Sequence, residues 1–158
     1  MLSDSEIVLR LVLSVVLSGL IGMERQMHRR HAGLRTHILV SMGSCLIMLT
    51  SLYVFDIYKD IVALDPARIA AGVITGIGFL GAGTIMRDKE GIRGLTTAAS
   101  LWVVAGLGLA VGCGFWKAAS LATALALIVL LFLRYAEDTV FGKFAKEDTD
   151  SETDSESK

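Results

Sequence analysis

Five long apolar segments, separated by charged or polar loops, make up most of the chain. Each is about 17 to 20 residues long, which matches the thickness of a bilayer core for a helix that rises 1.5 Å per residue. Hardly any segment carries the polar face that a surface helix of a soluble bundle needs. The pattern therefore predicts an all-α fold, a polytopic membrane bundle of five transmembrane helices. The predicted spans are about 7–23, 36–55, 69–86, 96–113 and 115–133.

The basic residues of the loops are distributed unevenly between the two ends of the spans. Arginines and lysines concentrate between segments one and two and between segments three and four, whereas the opposite side is richer in acids. Because cytoplasmic loops carry the excess of Lys and Arg, we predict the N-terminus outside and the C-terminus inside. The start of the chain, MLSDSEIVLR, has no basic region, so we expect no cleaved signal peptide.

The composition agrees with a membrane protein that carries a solvated tail. The chain has 158 residues, is 53% hydrophobic and has a mean hydropathy of +0.61. Residues 147–156 hold six of the 16 acids, which leaves residues 1–146 with 14 bases against 10 acids. We expect residues 1–145 to form the transmembrane domain and residues 146–158 to be a disordered acidic cytoplasmic tail. The expected partner is the lipid bilayer and not a nucleic acid.

The stretch TGIGFLGAG, residues 75–83, fits the G-x-G-x-x-G pattern of dinucleotide-binding proteins. A dinucleotide site needs a strand before the pattern and an acid about 20 residues after it. Here the pattern lies inside an apolar segment, and Thr97 stands where the acid is expected. The glycines are therefore better explained by a membrane helix.

Glycines on two faces of a helix let neighbouring backbones approach closely in lipid. We therefore predict that segment three packs in the middle of the bundle, and that small-residue faces give a homodimer or larger homo-oligomer. An unwound stretch that lines a site, as in transporters, is the alternative. The predicted helix-packing glycines are Gly72, Gly76, Gly78, Gly81 and Gly83.

Charged residues at the ends of the spans are the candidate sites, since burying charge in hydrocarbon is costly. Glu24 ends the first span, and we predict that it pairs with Arg25 or His28, binds a cation or relays a proton. Asp65 has the position of a helix cap before the third span and is predicted to pair with Arg68. Mg²⁺ prefers carboxylates and retained waters, which makes Glu24 and Asp65 the candidate metal ligands.

Other polar features suggest simpler roles. Arg10 lies close to the start of the first span and is predicted to snorkel outward. The pair His28 and His31 suits headgroup contact better than metal binding, because arginines surround it. No Ser-His-Asp order, H-E-x-x-H or Walker motif is present in the sequence. We therefore predict that the chain is not an enzyme and needs no cofactor, with Mg²⁺ at most a ligand.

Two short stretches of the sequence are similar to each other. Gly33-Leu34-Arg35-Thr36 leads into segment two, and Gly94-Leu95-Thr96-Thr97 leads into segment four. The similarity indicates either two related hairpins of the same orientation, as in transporters with parallel repeats, or only the preference of helix starts for residues such as Thr near the N-cap.

Three blocks of the sequence strongly resemble the MgtC/SapB family of bacterial inner-membrane proteins. They are GLIGMERQMHRRHAGLRTHILVSMGS, DPARIAAGVITGIGFLGAGTIMR and IRGLTTAASLWVVAGLGLAVGCG, and they cover about residues 19–114. The resemblance implies a five-helix inner-membrane domain and a link to magnesium homeostasis. For some members it also implies survival of pathogens inside host cells and restraint of the ATP synthase. The signature polar residues that it carries over are Glu24, Arg25, Gly33, Arg35, Thr36, Asp65, Arg68, Arg93, Thr96 and Thr97.

The chain departs from the family pattern in two ways. Gly72 stands where members commonly have Gln, and a short acidic tail stands where virulence-type members carry a folded cytoplasmic domain. These departures predict a short form of the family that lacks the C-terminal cytoplasmic domain. The leading hypothesis is a Mg²⁺ transporter or an accessory to transport. The alternative is a non-transporting regulatory protein that binds another membrane complex such as the ATP synthase.

Overall fold

The computed structural model describes residues 2–89 and 91–133, and within them five helices follow one another along the chain. A two-stranded antiparallel hairpin connects the third helix to the fourth. The predicted acidic tail, residues 146–158, lies outside the described residues. The elements are α1 Asp4–Met27, α2 Leu34–Tyr58, α3 Ala67–Gly83, β1 Met86–Asp88, β2 Gly91–Arg93, α4 Leu95–Gly112, α5 Trp116–Ile128 and a π-helical turn Val129–Leu133 that continues α5.

Three of these helices, α1, α2 and α4, are long and apolar enough to cross a membrane. The helix α3 and the helical stretch 116–132 are apolar but shorter. The structure therefore confirms a mostly helical fold with apolar helices suited to a membrane. Five complete spans and their orientation stay predictions.

The helix α4 lies at the centre of the bundle and packs against each of the other four helices. Two of its glycines bring its backbone against α2. A Cβ atom on Gly108 would lie 2.1 Å from the carbonyl oxygen of Ser41, and one on Gly112 would lie 2.8 Å from that of Cys45. These separations are too short for any larger residue, so glycine at both positions permits the close approach of α2 and α4.

The helix α3 lies at the edge of the bundle, so the prediction that segment three packs in its middle is wrong. It packs mainly on α4 and α2. Gly81 does meet another helix, since a Cβ atom there would lie 3.6 Å from the Cβ of Ala98. The central place is taken by α4, whose own glycines face the α2 backbone. Open space within the single chain surrounds the other four predicted packing glycines, Gly72, Gly76, Gly78 and Gly83.

The third segment was predicted to run to Met86, but α3 ends at Gly83 and Met86 begins the hairpin. Met86 pairs with Arg93 on the second strand. The next residue, Gly94, has φ of +91°, and a Cβ atom there would lie 1.9 Å from the carbonyl oxygen of Thr84. The chain therefore needs glycine at position 94 to turn from the hairpin into α4.

The starts of α2 and α4 share two features. The N-cap residues are Gly33 and Gly94, and each carbonyl oxygen accepts a bond from the backbone N–H four residues on. The preceding helix approaches that fourth residue through a glycine in both cases. A Cβ atom on Gly22 of α1 would lie 3.0 Å from the Cβ of His37, and one on Gly81 of α3 would lie 3.6 Å from the Cβ of Ala98. The two caps differ in backbone conformation, since Gly33 has φ of −107° and Gly94 has φ of +91°. A bond from the cap carbonyl to the fourth residue is also the chemistry of any helix start, so two related hairpins stay a prediction.

Consecutive helices run in opposite directions, which gives the bundle two ends. The Glu24 end comprises the end of α1, the starts of α2 and α4, and the hairpin. The Arg10 end comprises the start of α1, the ends of α2 and α4, and the starts of α3 and α5.

Candidate functional site

Glu24 is buried in the last turns of α1, and its side chain is 5% exposed, as is that of Arg25. Glu24 Oε2 lies 3.5 Å from Arg25 Nη1, and Oε1 lies 2.8 Å from His28 Nδ1. The pairing with Arg25 or His28 that the sequence predicts is therefore present, and both partners take part. A buried carboxylate needs such compensation, because an unpaired charge away from water is costly.

A cation at Glu24 would have to compete with these two partners for the carboxylate. In the part of the chain that the structure describes, no three His, Cys, Asp or Glu side chains form a group that could hold a metal ion. Mg²⁺ bound at Glu24 would therefore keep most of its water ligands, as this ion commonly does. The role of Glu24 as a metal ligand stays a prediction.

His37, within electrostatic range of Glu24 and Arg25, links α2 to α4. Its ring is fully buried, Nδ1 lies 2.9 Å from the carbonyl oxygen of Gly33, and Nε2 lies 3.0 Å from Ser100 Oγ. Because a carbonyl oxygen can only accept, Nδ1 carries a hydrogen. Nε2–H of the charged ring would donate to Ser100 Oγ, whereas Nε2 of the neutral ring accepts only if the one hydroxyl hydrogen turns from the Thr97 carbonyl oxygen, 2.8 Å away, to the ring. His37 and Ser100 thus link the two helices through one hydrogen bond.

The sequence pattern did not single out His37, and its bond to Ser100 was not predicted. A signal was present, because serines and threonines recur at spacings of three or four residues within the apolar segments. Such spacing places them on one helix face. The buried hydroxyl side chains are Ser14, Ser18, Ser41, Ser44, Ser51, Thr97, Ser100 and Thr123.

Three signature residues at the start of α2 lie close to the end of α1. Arg35 and Thr36, with Gly33 and Gln26, line a polar cavity of about 410 Å³. The Gln26 side chain also accepts a bond from the backbone N–H of Leu34 at 3.2 Å. A Cβ atom on Gly33 would lie 2.2 Å from Gln26 Oε1, so glycine makes room for this contact.

The hairpin and the start of α4 bring three more signature residues to the Glu24 end. Arg93 Nε lies 3.4 Å from Asp88 Oδ2 across the hairpin. Thr96 is exposed in the first turn of α4, whereas Thr97 is buried and its carbonyl oxygen lies 2.8 Å from Ser100 Oγ. Thr97 therefore belongs to the His37 network, and the other two face the surroundings.

Asp65 and Arg68 lie at the opposite end of the bundle, at the start of α3. The N-cap residue of α3 is Pro66 and not Asp65 as predicted, but Asp65 Oδ1 accepts a bond from the backbone N–H of Ala67, the first residue of the helix, at 2.8 Å. Within residues 2–89 and 91–133, no ion pair joins Asp65 to Arg68, contrary to the prediction. The carboxylate is instead directed at the backbone of the helix start.

Glu24 and Asp65 lie too far apart to share one ion. Glu24 is close to the start of α2, where α1 packs on Leu34. Asp65 precedes Pro66, whose carbonyl oxygen accepts a bond from Ser51 near the other end of α2. Leu34 and Ser51 are about 25 Å apart along the helix at 1.5 Å per residue. Glu24 and Asp65 therefore belong to two separate candidate sites.

Arg10 is buried inside the bundle, so the prediction that it snorkels outward is wrong. It is 6% exposed, its Nη1 donates to the carbonyl oxygen of Gly112 at 2.6 Å, and its Nη2 forms an ion pair with Glu6. The Gly112 carbonyl is one of the unpaired acceptors at the C-terminus of α4, where the helix dipole favours a cation. Because Glu6 and this helix end compensate the charge locally, Arg10 need not reach water.

Comparison with known proteins relates most of the chain to one family. A family model described as the MgtC family matches residues 11–139. The chain is 48% identical over 128 residues to the protein named "Putative magnesium transporter YhiD" of Escherichia coli strain K12, across 80% of the chain and 60% of that protein. No solved structure matches significantly.

Two further relatives come from other bacteria. Protein MgtC of Salmonella typhimurium strain LT2 is 44% identical over 133 residues, across 84% of the chain and 54% of that protein. Protein SapB of Bacillus subtilis strain 168 is 40% identical over 134 residues, across 82% and 57%. The chain thus spans somewhat more than half the length of these relatives.

Proposed function

Because the chain belongs to the MgtC family, we propose that it is an integral inner-membrane protein linked to magnesium homeostasis, as a Mg²⁺ transporter or an accessory to transport. The name of the Escherichia coli relative supports the link to magnesium. The basic loops support an arrangement with the N-terminus outside and the Glu24 end in the cytoplasm. Catalysis of a reaction is no part of this proposal.

The observation that carries the proposal is the buried carboxylate of Glu24. Ionisable groups within membrane helices are costly and commonly mark ion pathways. Arg25 and His28 hold this carboxylate when no cation competes for it. A hydrated Mg²⁺ ion that displaces them would connect the concentration of the ion to the packing of α1 on α2 and α4. Asp65 is the corresponding candidate ligand at the other end.

Flux of Mg²⁺ into liposomes that contain the purified protein tests this proposal, together with growth of a deletion strain in low Mg²⁺. The Glu24→Gln variant keeps the size of the side chain and removes its charge, and we expect it to lose most of the flux and to fail to restore growth. The Asp60→Asn variant removes an exposed carboxylate in the loop after α2 and serves as the matched control. The proposal fails if the wild-type protein neither moves nor binds Mg²⁺ and the deletion leaves growth unchanged.

A non-transporting regulatory role is the second candidate, and the exposed side of α3 favours it. Phe79 is 82% exposed, and Gly72 and Gly76 face open space in the single chain. A small-residue face lets another membrane helix approach closely. That helix would come from a second copy of the chain, giving a homodimer or larger oligomer, or from another membrane complex such as the ATP synthase. A pull-down from membranes that recovers no stoichiometric partner, with a monomeric mass in nanodiscs, would exclude this role.

A further inference from the structure

The Glu24 end of the bundle carries an excess of basic residues. Residues 24–35 hold four arginines and one acid, and residues 87–93 hold three bases and two acids, so the excess is four positive charges. Five of the bases have exposed side chains and, within residues 2–89 and 91–133, no ion-pair partner. We call them the basic surface, and they are Arg29, Arg30, Arg35, Arg87 and Lys89.

The two parts of the basic surface are held at the same end of the central helix. In the loop after α1, Ala32 is 3% exposed and packs in one cluster with Ile77 of α3 and Leu101 of α4. The hairpin joins the end of α3 to the start of α4. The loop and the hairpin therefore both lie at the start of α4, where their like charges repel each other unless anions lie nearby.

The chain itself contains a run of the opposite charge. Residues 147–156, EDTDSETDSE, hold six acids and no base. This acidic run lies outside the described residues, but α5 shows where the chain that leads to it leaves the bundle. A Cβ atom on Gly114, just before α5, would lie 3.2 Å from Arg10 Nη2, so α5 begins at the Arg10 end. From there the helical residues 116–133 extend about 25 Å, which brings the chain to the Glu24 end.

The acidic run can reach the basic surface. Residues 134–146 connect α5 to it, and a chain of that length spans at most about 45 Å. Neighbouring helices of a bundle lie about 8–10 Å apart, so this reach covers the whole Glu24 end. Linkage within one chain also gives the run an effective concentration of about millimolar, which favours it over soluble anions.

We propose that the acidic run binds the basic surface of its own chain. Carboxylates accept charge-assisted hydrogen bonds from guanidinium and ammonium groups, and an arginine can offer two parallel N–H donors to one carboxylate. A single exposed ion pair contributes little, but several charges of each sign form a network. An anionic bilayer is the competing partner. It surrounds the bundle, whereas the loop that carries Arg29 and Arg30 packs on the central helix.

Binding of the acidic run would change the electrostatic field at Glu24. An excess of four positive charges repels a cation from this end, whereas six bound carboxylates outweigh that excess. The acidic run would therefore favour the approach of a divalent cation to the Glu24 end. Only this consequence rests on the proposed function, since the contact itself forms whether or not the protein moves Mg²⁺.

Zero-length cross-linking with a carbodiimide tests the contact on the full chain, because the reagent joins a lysine amine only to a carboxylate that touches it. In the part of the chain that the structure describes, Lys89 lies at the Glu24 end, and Lys59 and Lys117 lie at the Arg10 end. In phosphatidylcholine nanodiscs we expect peptides that join Lys89 to residues 147–156, and none that join Lys59 or Lys117 to them. Equal yields from the two ends would overturn the proposal.

A mixture of unlabelled and isotope-labelled chains shows whose acidic run is bound. We expect the linked peptides to be both light or both heavy. Mixed pairs in the yield of random association would assign the contact to a second copy and overturn the proposal.

Salt and lipid charge identify what covers the basic surface, with the link from Lys146 to the adjacent acidic run as the internal reference. Raising KCl from about 0.05 to about 0.5 M should lower the yield at Lys89 about tenfold, as expected when two or three exposed ion pairs are screened. With about one third phosphatidylglycerol in the nanodiscs, we expect the Lys89 link to persist. An unchanged yield in high salt, or loss of the link to the anionic lipid, would contradict the proposal.

The double variant Arg29→Gly, Arg30→Gln removes two bases of the basic surface. Arg29 has φ of +51°, a backbone conformation that favours glycine, so the variant should unfold thermally like the wild type. We expect its yield at Lys89 to be about tenfold lower, since two ion-pair partners are lost. The matched control Arg68→Gln, Lys117→Gln removes two exposed bases at the Arg10 end and should keep the wild-type yield. A wild-type yield in the first variant would show that Lys89 meets the acidic run without the arginines, contrary to the proposal.

Discussion

Two helices of this bundle are rich in glycine, yet their glycines have opposite surroundings. On α4, Gly108 and Gly112 lie against the backbone of α2, whereas on α3, Gly72 and Gly76 face open space in the single chain. A glycine pattern therefore shows that another helix can pack closely on this one. It does not show whether that other helix belongs to the same chain. The central helix also carries buried hydroxyl groups, whereas the hydroxyl of Thr75 on α3 is exposed.

The largest effect should come from a side chain placed between α4 and α2. The Gly108→Leu variant forces the two backbones apart, because even a Cβ atom would lie 2.1 Å from the Ser41 carbonyl oxygen. We expect it to lower the free energy of unfolding by at least about 3 kcal/mol, the upper range of overpacking. Titration with SDS in detergent micelles measures the change.

A matched control exists on the same helix. Gly106 has no atom within 4 Å of an added Cβ, so Gly106→Leu should change the free energy of unfolding by less than about 0.5 kcal/mol. If Gly108→Leu and Gly106→Leu unfold at the same SDS concentration, α4 does not pack on α2 as described.

A smaller but clear effect is expected where Arg10 joins α1 to the end of α4. The Arg10→Met variant removes the donor to the Gly112 carbonyl and the partner of Glu6, at a cost of about 2 kcal/mol. The Glu6→Gln variant should cost less, because the side chain of Glu6 is 35% exposed. The same SDS titration compares them, and a larger loss for Glu6→Gln would contradict the burial of Arg10.

The link between α2 and α4 at the Glu24 end should contribute less. The Ser100→Ala variant removes the partner of His37 Nε2, and interhelical hydrogen bonds in membrane proteins average about 0.6 kcal/mol. The Ser120→Ala variant, at an exposed position of α5, provides the baseline in the same titration. Equal stability of the two variants would mean that His37 gains nothing from Ser100.

The smallest effect on the single chain is expected on α3. The Gly76→Leu variant should change the free energy of unfolding by less than about 0.5 kcal/mol, since its side chain enters open space. If this face binds a second copy, sedimentation in detergent and nanodiscs should show a shift from dimer to monomer. A loss of stability as large as that of Gly108→Leu would place α3 inside the bundle after all.

The apolar segments predicted the five helices, and the quoted blocks predicted the family, which is confirmed over residues 11–139. The place of α3 was not predictable from its glycines, because a helix with two smooth faces fits the centre and the edge equally well. Arg10 was predicted to point toward water because the sequence does not show that the C-terminal end of α4 contacts this side chain. The pairing of Glu24 with Arg25 and His28 was foreseen because these groups are neighbours along α1 itself.

Quenching of tryptophan fluorescence by brominated lipid tests the edge position of α3 most directly. In a chain that carries Trp102→Phe and Trp116→Phe, the Phe79→Trp variant places one fluorophore where the native side chain is 82% exposed. At low protein-to-lipid ratio, which disfavours association between copies, we predict strong quenching at this position and little at Leu101→Trp, whose native side chain is 1% exposed. Shielding at position 79 with quenching at position 101 would contradict the account.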